Sequence, residues 1–431
     1  MTKYQRIAII GGGSALWVPG VVAGMACTRS LREAHVVLMD ADAARARRMA
    51  ETVKAVLRRG YPGTPTPTVS GTGSLEEALA DAEAVYTCYR NLGHDTEGRI
   101  NDLAKKYGSR QACFTAGPGA CIYLATQGTV MLEVLRSMIR LCPKAWLINV
   151  SNPLPGLSIL AAKAGADPRR VLGVCGTLEG YRQALADFLR IEPARLTFTI
   201  GGTNHCTFYT GVWIDGREAY EQVRQRAREQ PYLDLGRWGT DTGPVELLEL
   251  TGYMAVPGHP DDIYPMLRCE RRFPAGPSPT LMPWERADFG QVLEAYGRGE
   301  TVDFEPPREP SQQVQWLESL AGVPNVPRRF SVNTANLGVW PNMPSWSVLD
   351  MECELDERGV MPLATPPLPE TIAEVARAHQ VSFELAARAV VNRDRNLLVQ
   401  AIRSCPFGNY MQSAEAMVQE AWDQFSLGKI F

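Results

Sequence analysis

The sequence predicts an α/β protein: a Rossmann-type doubly wound sheet, then a mixed α+β substrate and metal domain with a helical C-terminus. Three observations lead there. The run Arg6 to Ile10 is short, apolar and β-branched, and it ends directly in Gly11-Gly12-Gly13. A second such run, His35 to Met39, is closed by an acid, Asp40. Further strands at Ala84–Cys88 and Ala145–Val150 are separated by helical stretches, as parallel strands require.

Each element has its own reason. Glycines after the first strand permit a tight turn and bring backbone N–H groups toward a pyrophosphate at the start of the next helix, expected to reach about Arg29. The spacing departs from G-x-G-x-x-G, because Ser14 and Ala15 follow the glycines and Leu16 takes the third glycine position. A tight structural turn without a ligand is the alternative. With Asp40 in register, Gly11, Gly12, Gly13 and Ser14 are expected to hold a dinucleotide. A carboxylate at the end of the second strand accepts from both ribose hydroxyls and repels a 2′-phosphate, so NAD is expected rather than NADP. A helix is expected over Gly128 to Arg140, from the apolar face Val130, Val134 and Met138. Loops that follow the strands carry the ligands of open α/β sheets, which singles out Arg90 for cofactor and Asn152 for substrate.

A chain of 431 residues suggests more than one domain, and a change of texture near Pro168 divides it into 1–168, for NAD, and 169–431, for metal, substrate and oligomer contacts. With 45% hydrophobic and 21% charged residues it has the mass for a core, and a net charge of -3 offers no attraction for nucleic acid or an anionic membrane. The opening MTKYQRIAIIGGGS has too short an apolar stretch for a signal peptide, so a cytoplasmic location is expected. The ten cysteines show no CxxC pair and are expected to be mostly small buried hydrophobes.

Cys175 stands apart. A short strand, Arg170 to Val174, ends in Cys175-Gly176-Thr177, and a helix follows through Gly180 to Leu189. The run Leu196 to Ile200 leads to Gly201-Gly202-Thr203-Asn204-His205. If the two strands are neighbours, a thiolate and an imidazole share a divalent cation, and ligand softness points to zinc. Two protein ligands are too few for a closed structural site, which leaves room for substrate oxygens. His35 and His379 are expected to be structural or solvated, and His94 is ambiguous. A Pro- and Gly-rich tract, Val256 to Pro283, holds His259, Asp261, Asp262 and Tyr264, and a tract this long marks a functional or disordered loop. Beyond Pro369 the chain is expected to be helical.

The sequence resembles the NAD- and metal-dependent glycosidases of glycoside hydrolase family 4. The resemblance is carried by IAIIGGGS with Pro19, Thr115-Ala116-Gly117-Pro118-Gly119, Val150-Ser151-Asn152-Pro153, Leu172-Gly173-Val174-Cys175 and Gly202-Thr203-Asn204-His205. Asn333-Thr334-Ala335-Asn336-Leu337-Gly338 and Asn342-Met343-Pro344 extend it along nearly the whole chain. It implies an oxidation–elimination route instead of two-carboxylate hydrolysis. NAD removes hydride from C3 of the sugar, a base takes the C2 proton, the aglycone leaves C1, water adds and the hydride returns. It also implies that Cys175 and His205 hold a metal, manganese rather than zinc, and that Asn152 and Asn204 contact the substrate. Tyr264 is the implied base; because Gly176 cannot protonate a leaving group, either His259, Asp261 or Asp262 supplies that proton or the leaving group needs little help. The expected partners are a small-molecule glycoside and further copies of the chain, as a dimer or tetramer.

One position departs from the family. Members carry a polar side chain directly after the metal-binding cysteine, whereas this chain has Gly176. A missing side chain there suggests room for a bulkier sugar and weighs against a 6-phosphosugar. Arg268, Arg271 and Arg272 offer an alternative anchor for an acidic substituent. The competing readings are an NAD-dependent dehydrogenase of a sugar or hydroxy acid, disfavoured by the Cys175/His205 pair, and a non-catalytic NAD sensor.

Overall fold

Side-chain alternation along the first strands explains why helices cover both faces of the sheet. In β1 (Arg6–Ile10) Ile7 and Ile9 enter one apolar core while Ala8 and Ile10 enter the other. In β2 (His35–Met39) Val36 and Leu38 face the first core and Val37 the second. A strand buried on both faces belongs to a parallel sheet wrapped by helices. The computed structural model describes residues 4–93, 95–109, 115–235, 240–257, 288–363, 365–406 and 413–429.

After β1 the chain turns through the glycines and enters α1 (Val18–Ala26), with Pro19 in its first turn. This helix starts later and ends sooner than the expected span to Arg29, because proline favours a helix start rather than a continuation. Next come α2 (Ala43–Gly60), capped by Asp42, and β3 (Thr68–Thr72), α3 (Leu75–Leu79), β4 (Ala84–Thr87) and α4 (Thr96–Lys106). The next helix, α5 (Gly117–Leu141), is much longer than the expected Gly128–Arg140. Every residue from Gly117 to Gly128 is buried. A helix buried all round shows no amphipathic period, so only its second half was visible as a stripe. Then follow β5 (Trp146–Asn149), α6 (Leu154–Lys163) and β6 (Val171–Gly173).

The remaining elements are α7 (Leu178–Leu189), β7 (Leu196–Thr203), β8 (Cys206–Ile214), β9 (Arg217–Glu218), α8 (Tyr220–Glu229), β10 (Leu233–Asp234), β11 (Thr240–Asp241) and α9 (Gly243–Thr251). They are followed by α10 (Phe289–Gly297), α11 (Gln312–Leu320), β12 (Arg329–Ala335), β13 (Val348–Asp356) and β14 (Gly359–Pro362). Among the described residues there follow α12 (Glu370–Asn392), α13 (Arg395–Ser404) and α14 (Ala414–Gln424).

Among the described residues the main sheet has the order β3-β2-β1-β4-β5-β6-β12-β13-β7-β8-β9, with β14 on β13. The six strands from β3 to β6 are parallel, and their order reverses at β1. That reversal opens a crevice at the carboxyl ends of β1 and β4. The sheet continues past residue 168 without a break, since β5 pairs with β6 and β6 with β12. Helices α12 and α13 return to pack on α5, and α12 also on α6, so the C-terminal segment seals the second core.

Candidate functional site

The glycine turn lies at that crevice. Gly11 has φ +90, and a Cβ there would lie 2.6 Å from the Tyr89 backbone nitrogen at the end of β4. Only glycine fits so close an approach. The Gly11 and Gly12 N–H groups both donate to the Met39 carbonyl, and Gly13 N–H donates to Asp40 Oδ2 at 3.1 Å. Ser14 N–H donates to the Gly11 carbonyl. The three glycine N–H groups thus tie the turn to the end of β2, and the Ser14 N–H closes the turn on itself. Asp40 is half-buried, and its other oxygen accepts from Asp42 N–H at 3.1 Å. The cofactor candidates Gly11, Gly12, Gly13, Ser14 and Asp40 thus form one rigid corner.

Arg90 emerges from the end of β4, exposed, and pairs with Glu97 at 3.1 Å. Tyr123 donates to the same Glu97 oxygen at 3.0 Å. Beside it, Ser151 donates to the Tyr89 carbonyl and Val150 and Ser151 N–H groups to the Thr87 carbonyl. These bonds tie the loop bearing the half-buried Asn152 to the end of β4.

Cys175 lies past the end of β6 and is the one exposed cysteine among the described residues. Five of the other seven are buried, as expected for small hydrophobes. His205 and Asn204 form a two-residue turn between β7 and β8, with Thr203 paired to Cys206. His205 has φ +62, a left-handed conformation that costs a non-glycine residue about 1–3 kcal/mol and points to a constrained site. Its Nδ1 lies 3.2 Å from Thr115 Oγ1, at the start of α5. Asn204 is 2% exposed, and its Oδ1 has no hydrogen-bond partner among the described residues.

The strands bearing these groups are not neighbours, as the cation reading had supposed. β12 and β13 intervene, and one registered row, Gly173–Asn333–Asp350–Gly202, crosses all four. Asp350, 1% exposed, accepts from Ser331 Oγ at 2.5 Å and lies 3.0 Å from Thr207 Oγ1. Burial pushes its carboxyl up, while hydrogen bonds from Ser331, Thr207 and Tyr181 and the charge of His205 pull the other way. Asp350 thus ties the hairpin that carries His205 to β12.

Tyr181 overturns the expectation for Gly176. A Cβ at Gly176 would lie 1.8 Å from the Tyr181 hydroxyl and 2.3 Å from its Cζ. The space beside Gly176 is filled by a tyrosine ring from the first turns of α7, so the absent side chain opens no room there for a larger sugar. Thr177 caps the same helix by accepting from Gly180 N–H, and Gln312 holds the Gly176 carbonyl at 3.2 Å.

An exposed thiol and an imidazole are donor types that suit a divalent ion, and the unsatisfied amide oxygen of Asn204 lies next to the imidazole in the chain. Among the described residues no group of three or more His, Cys, Asp or Glu could hold a metal. His259, Asp262, Tyr264 and the three arginines from Arg268 onward lie outside the described residues, as does His94. His379 is fully buried, its ring 4.6 Å from that of Phe383, and it is structural. Thr115, Tyr181 and Asp350 were not singled out from sequence. Thr115 at least opens the Thr-Ala-Gly-Pro-Gly segment, but an acid within the strand Val348–Asp356 reads as outward-facing.

Comparison with known proteins adds the following. The pattern of "Family 4 glycosyl hydrolase" matches residues 6–191, and that of its C-terminal domain matches residues 200–406. An α-galactosidase of Bacillus subtilis is 23% identical over 437 residues, covering 98% of each chain. A 6-phospho-α-glucosidase from gut microorganisms, solved with NAD and Mn2+, superposes with a TM-score of 0.77 at 19% identity over 98% of this chain and 97% of that one. The 6-phospho-β-glucosidase of Thermotoga maritima, solved with manganese, NAD+ and glucose-6-phosphate, gives 0.74 at 18% identity over 98% and 99%. Among the described residues no helix is long and apolar enough to cross a membrane.

Proposed function

Because the chain belongs to family 4 of the glycosyl hydrolases, we propose that it cleaves a glycoside by redox-assisted elimination, with NAD and a divalent metal, Mn2+ first. The observation that carries this reading is the His205 turn: an imidazole in a left-handed conformation beside Thr115, on a strand that the row Gly173–Asn333–Asp350–Gly202 connects to the strand leading to the exposed thiol of Cys175. When bound, NAD supplies a hydride acceptor for C3 of the sugar, and the metal supplies positive charge beside the oxygens on C2 and C3.

The chain's own residues do the rest. Asp40 accepts from the ribose hydroxyls while its Oδ2 stays tied to Gly13, which favours NAD over a 2′-phosphorylated cofactor. Arg90, held by Glu97, carries positive charge at the mouth of the same crevice. Cys175 and His205 are the metal ligands. Asn204 offers its unsatisfied Oδ1, and Asn152 its amide, to sugar hydroxyls. Tyr264 takes the C2 proton, which oxidation at C3 has made acidic, and Asp262 or His259 returns a proton to the departing oxygen.

Two solved proteins of this fold contain NAD and manganese, which supports the cofactor pair. The test is a panel of p-nitrophenyl α- and β-glycosides, neutral and acidic, under reducing conditions with NAD and Mn2+. Release should require both cofactors and slow when the sugar carries deuterium at C2. Stoichiometric NADH from free sugars, with no glycoside cleaved, would replace this reading with a sugar dehydrogenase.

A further inference from the structure

The glycine turn is held by two side chains of opposite charge. Asp40 Oδ2 accepts from the Gly13 N–H at 3.1 Å, and Arg45 Nε donates to the Gly13 carbonyl at 3.1 Å. Carboxylate and guanidinium are thus fixed to the two ends of one residue's backbone. The Arg45 stem lies against the same glycine: a Cβ at Gly13 would stand 2.7 Å from Arg45 Cγ, Cδ and Nε. A side chain at position 13 would push the guanidinium away.

Helix energetics do not explain a cation at this place. Arg45 is the third residue of α2, whose first turn carries no acid, and the positive end of the helix dipole disfavours a guanidinium there. Its backbone is fixed all the same. Asp42 Oδ1 caps its N–H at 3.0 Å, and α2 packs so closely on β3 that a Cβ at Gly71 would lie 2.5 Å from the Ala46 carbonyl. Beyond Nε, the half-buried Arg45 makes no side-chain hydrogen bond or ion pair among the described residues. Its Nη1 and Nη2 donors therefore stay available, on a fixed stem beside the carboxylate of Asp40.

We propose that Arg45 is a cofactor-binding residue that sets specificity: its Nη donors serve the 2′-oxygen of the adenosine ribose, next to Asp40. In NAD the 2′-hydroxyl donates to Asp40 and its oxygen accepts from Arg45. A 2′-phosphate is attracted by Arg45 and repelled by Asp40, so the pair, and not the carboxylate alone, decides between the two dinucleotides. The inference rests on the reading of this corner as the NAD site, and the test separates the two.

The measurement is binding of NAD and of NADP to the purified full chain by titration calorimetry, with melting temperature as the control for the fold. Arg45→Met keeps the stem over Gly13 and removes the charge; it should weaken NAD binding about tenfold. Asp40→Ser should bind NADP at least tenfold more tightly than the parent, and adding Arg45→Met should abolish that gain. If Arg45→Met lowers the melting temperature, Arg45→Gln, whose amide can still donate to the Gly13 carbonyl, must show the same losses. Parent-like NAD binding by Arg45→Met, or an NADP gain in Asp40→Ser that survives its addition, overturns the role of Arg45 and leaves the NAD site standing. A parent chain that binds neither dinucleotide overturns the NAD site and the inference with it.

Discussion

Thr115 Oγ1 lies 3.2 Å from His205 Nδ1, joining the start of α5 to the turn between β7 and β8. The contact orients an imidazole that the backbone already holds in a left-handed conformation. Outer partners of this kind fix the tautomer and ring angle of metal-binding histidines. Replacing Thr115 by Val should weaken Mn2+ binding about 10- to 100-fold and leave NAD binding unchanged. Thr115→Ser should restore most of the loss, as read by metal titration.

Gly176→Ala tests the packing beside the metal loop. Its Cβ would stand 1.8 Å from the Tyr181 hydroxyl, so the ring or the loop must move. Overpacking of this kind costs about 1–3 kcal/mol. A lower denaturation midpoint and a marked loss of kcat/KM are expected. A larger side chain, as in Gly176→His, should do worse unless Tyr181 is shortened too.

Asp40→Ala removes both the acceptor for the Gly13 N–H and the proposed ribose contact. NAD affinity should fall at least tenfold by fluorescence titration, the size of losing hydrogen bonds to a charged group. NADP should be discriminated against less strongly than by the parent, since the repelling carboxylate is gone. Equal loss for both cofactors would remove Asp40 from cofactor choice.

Tyr264→Phe should remove most of the turnover while Mn2+ and NAD still bind. Exchange of the C2 hydrogen with deuterated water, followed by NMR, should cease along with it. Persistent exchange would assign the base elsewhere.

His35 makes stability depend on pH. Burial lowers its basicity below the ordinary value near 6.5, and the charge of Arg6 adds to the effect. The native state therefore binds fewer protons than the unfolded chain below that value, so stability falls as pH drops from 6.5 toward the lower native value. His35→Gln should flatten this part of the profile. Urea midpoints at about pH 5 and pH 7.5 should differ less in the variant than in the parent.

The sequence by itself determined the class of fold, because strand alternation, the glycine turn and the closing acid are local patterns that survive without tertiary context. It also brought out Cys175, Asn204 and His205, since a lone thiol and an imidazole at strand ends are visible as chemistry. The first half of α5 escaped, because burial on every side erases the helical period. The meaning of Gly176 escaped for a related reason: an absent side chain looks like empty space until the residue five positions on is seen to fill it. Asp350 likewise became part of the site only when β12 and β13 came to lie between β6 and β7. Local pattern encodes which elements form, whereas strand order and ring packing depend on contacts between residues far apart in the chain. Those contacts alone brought Thr115 and Asp350 to the hairpin that carries His205, and Tyr181 to Gly176.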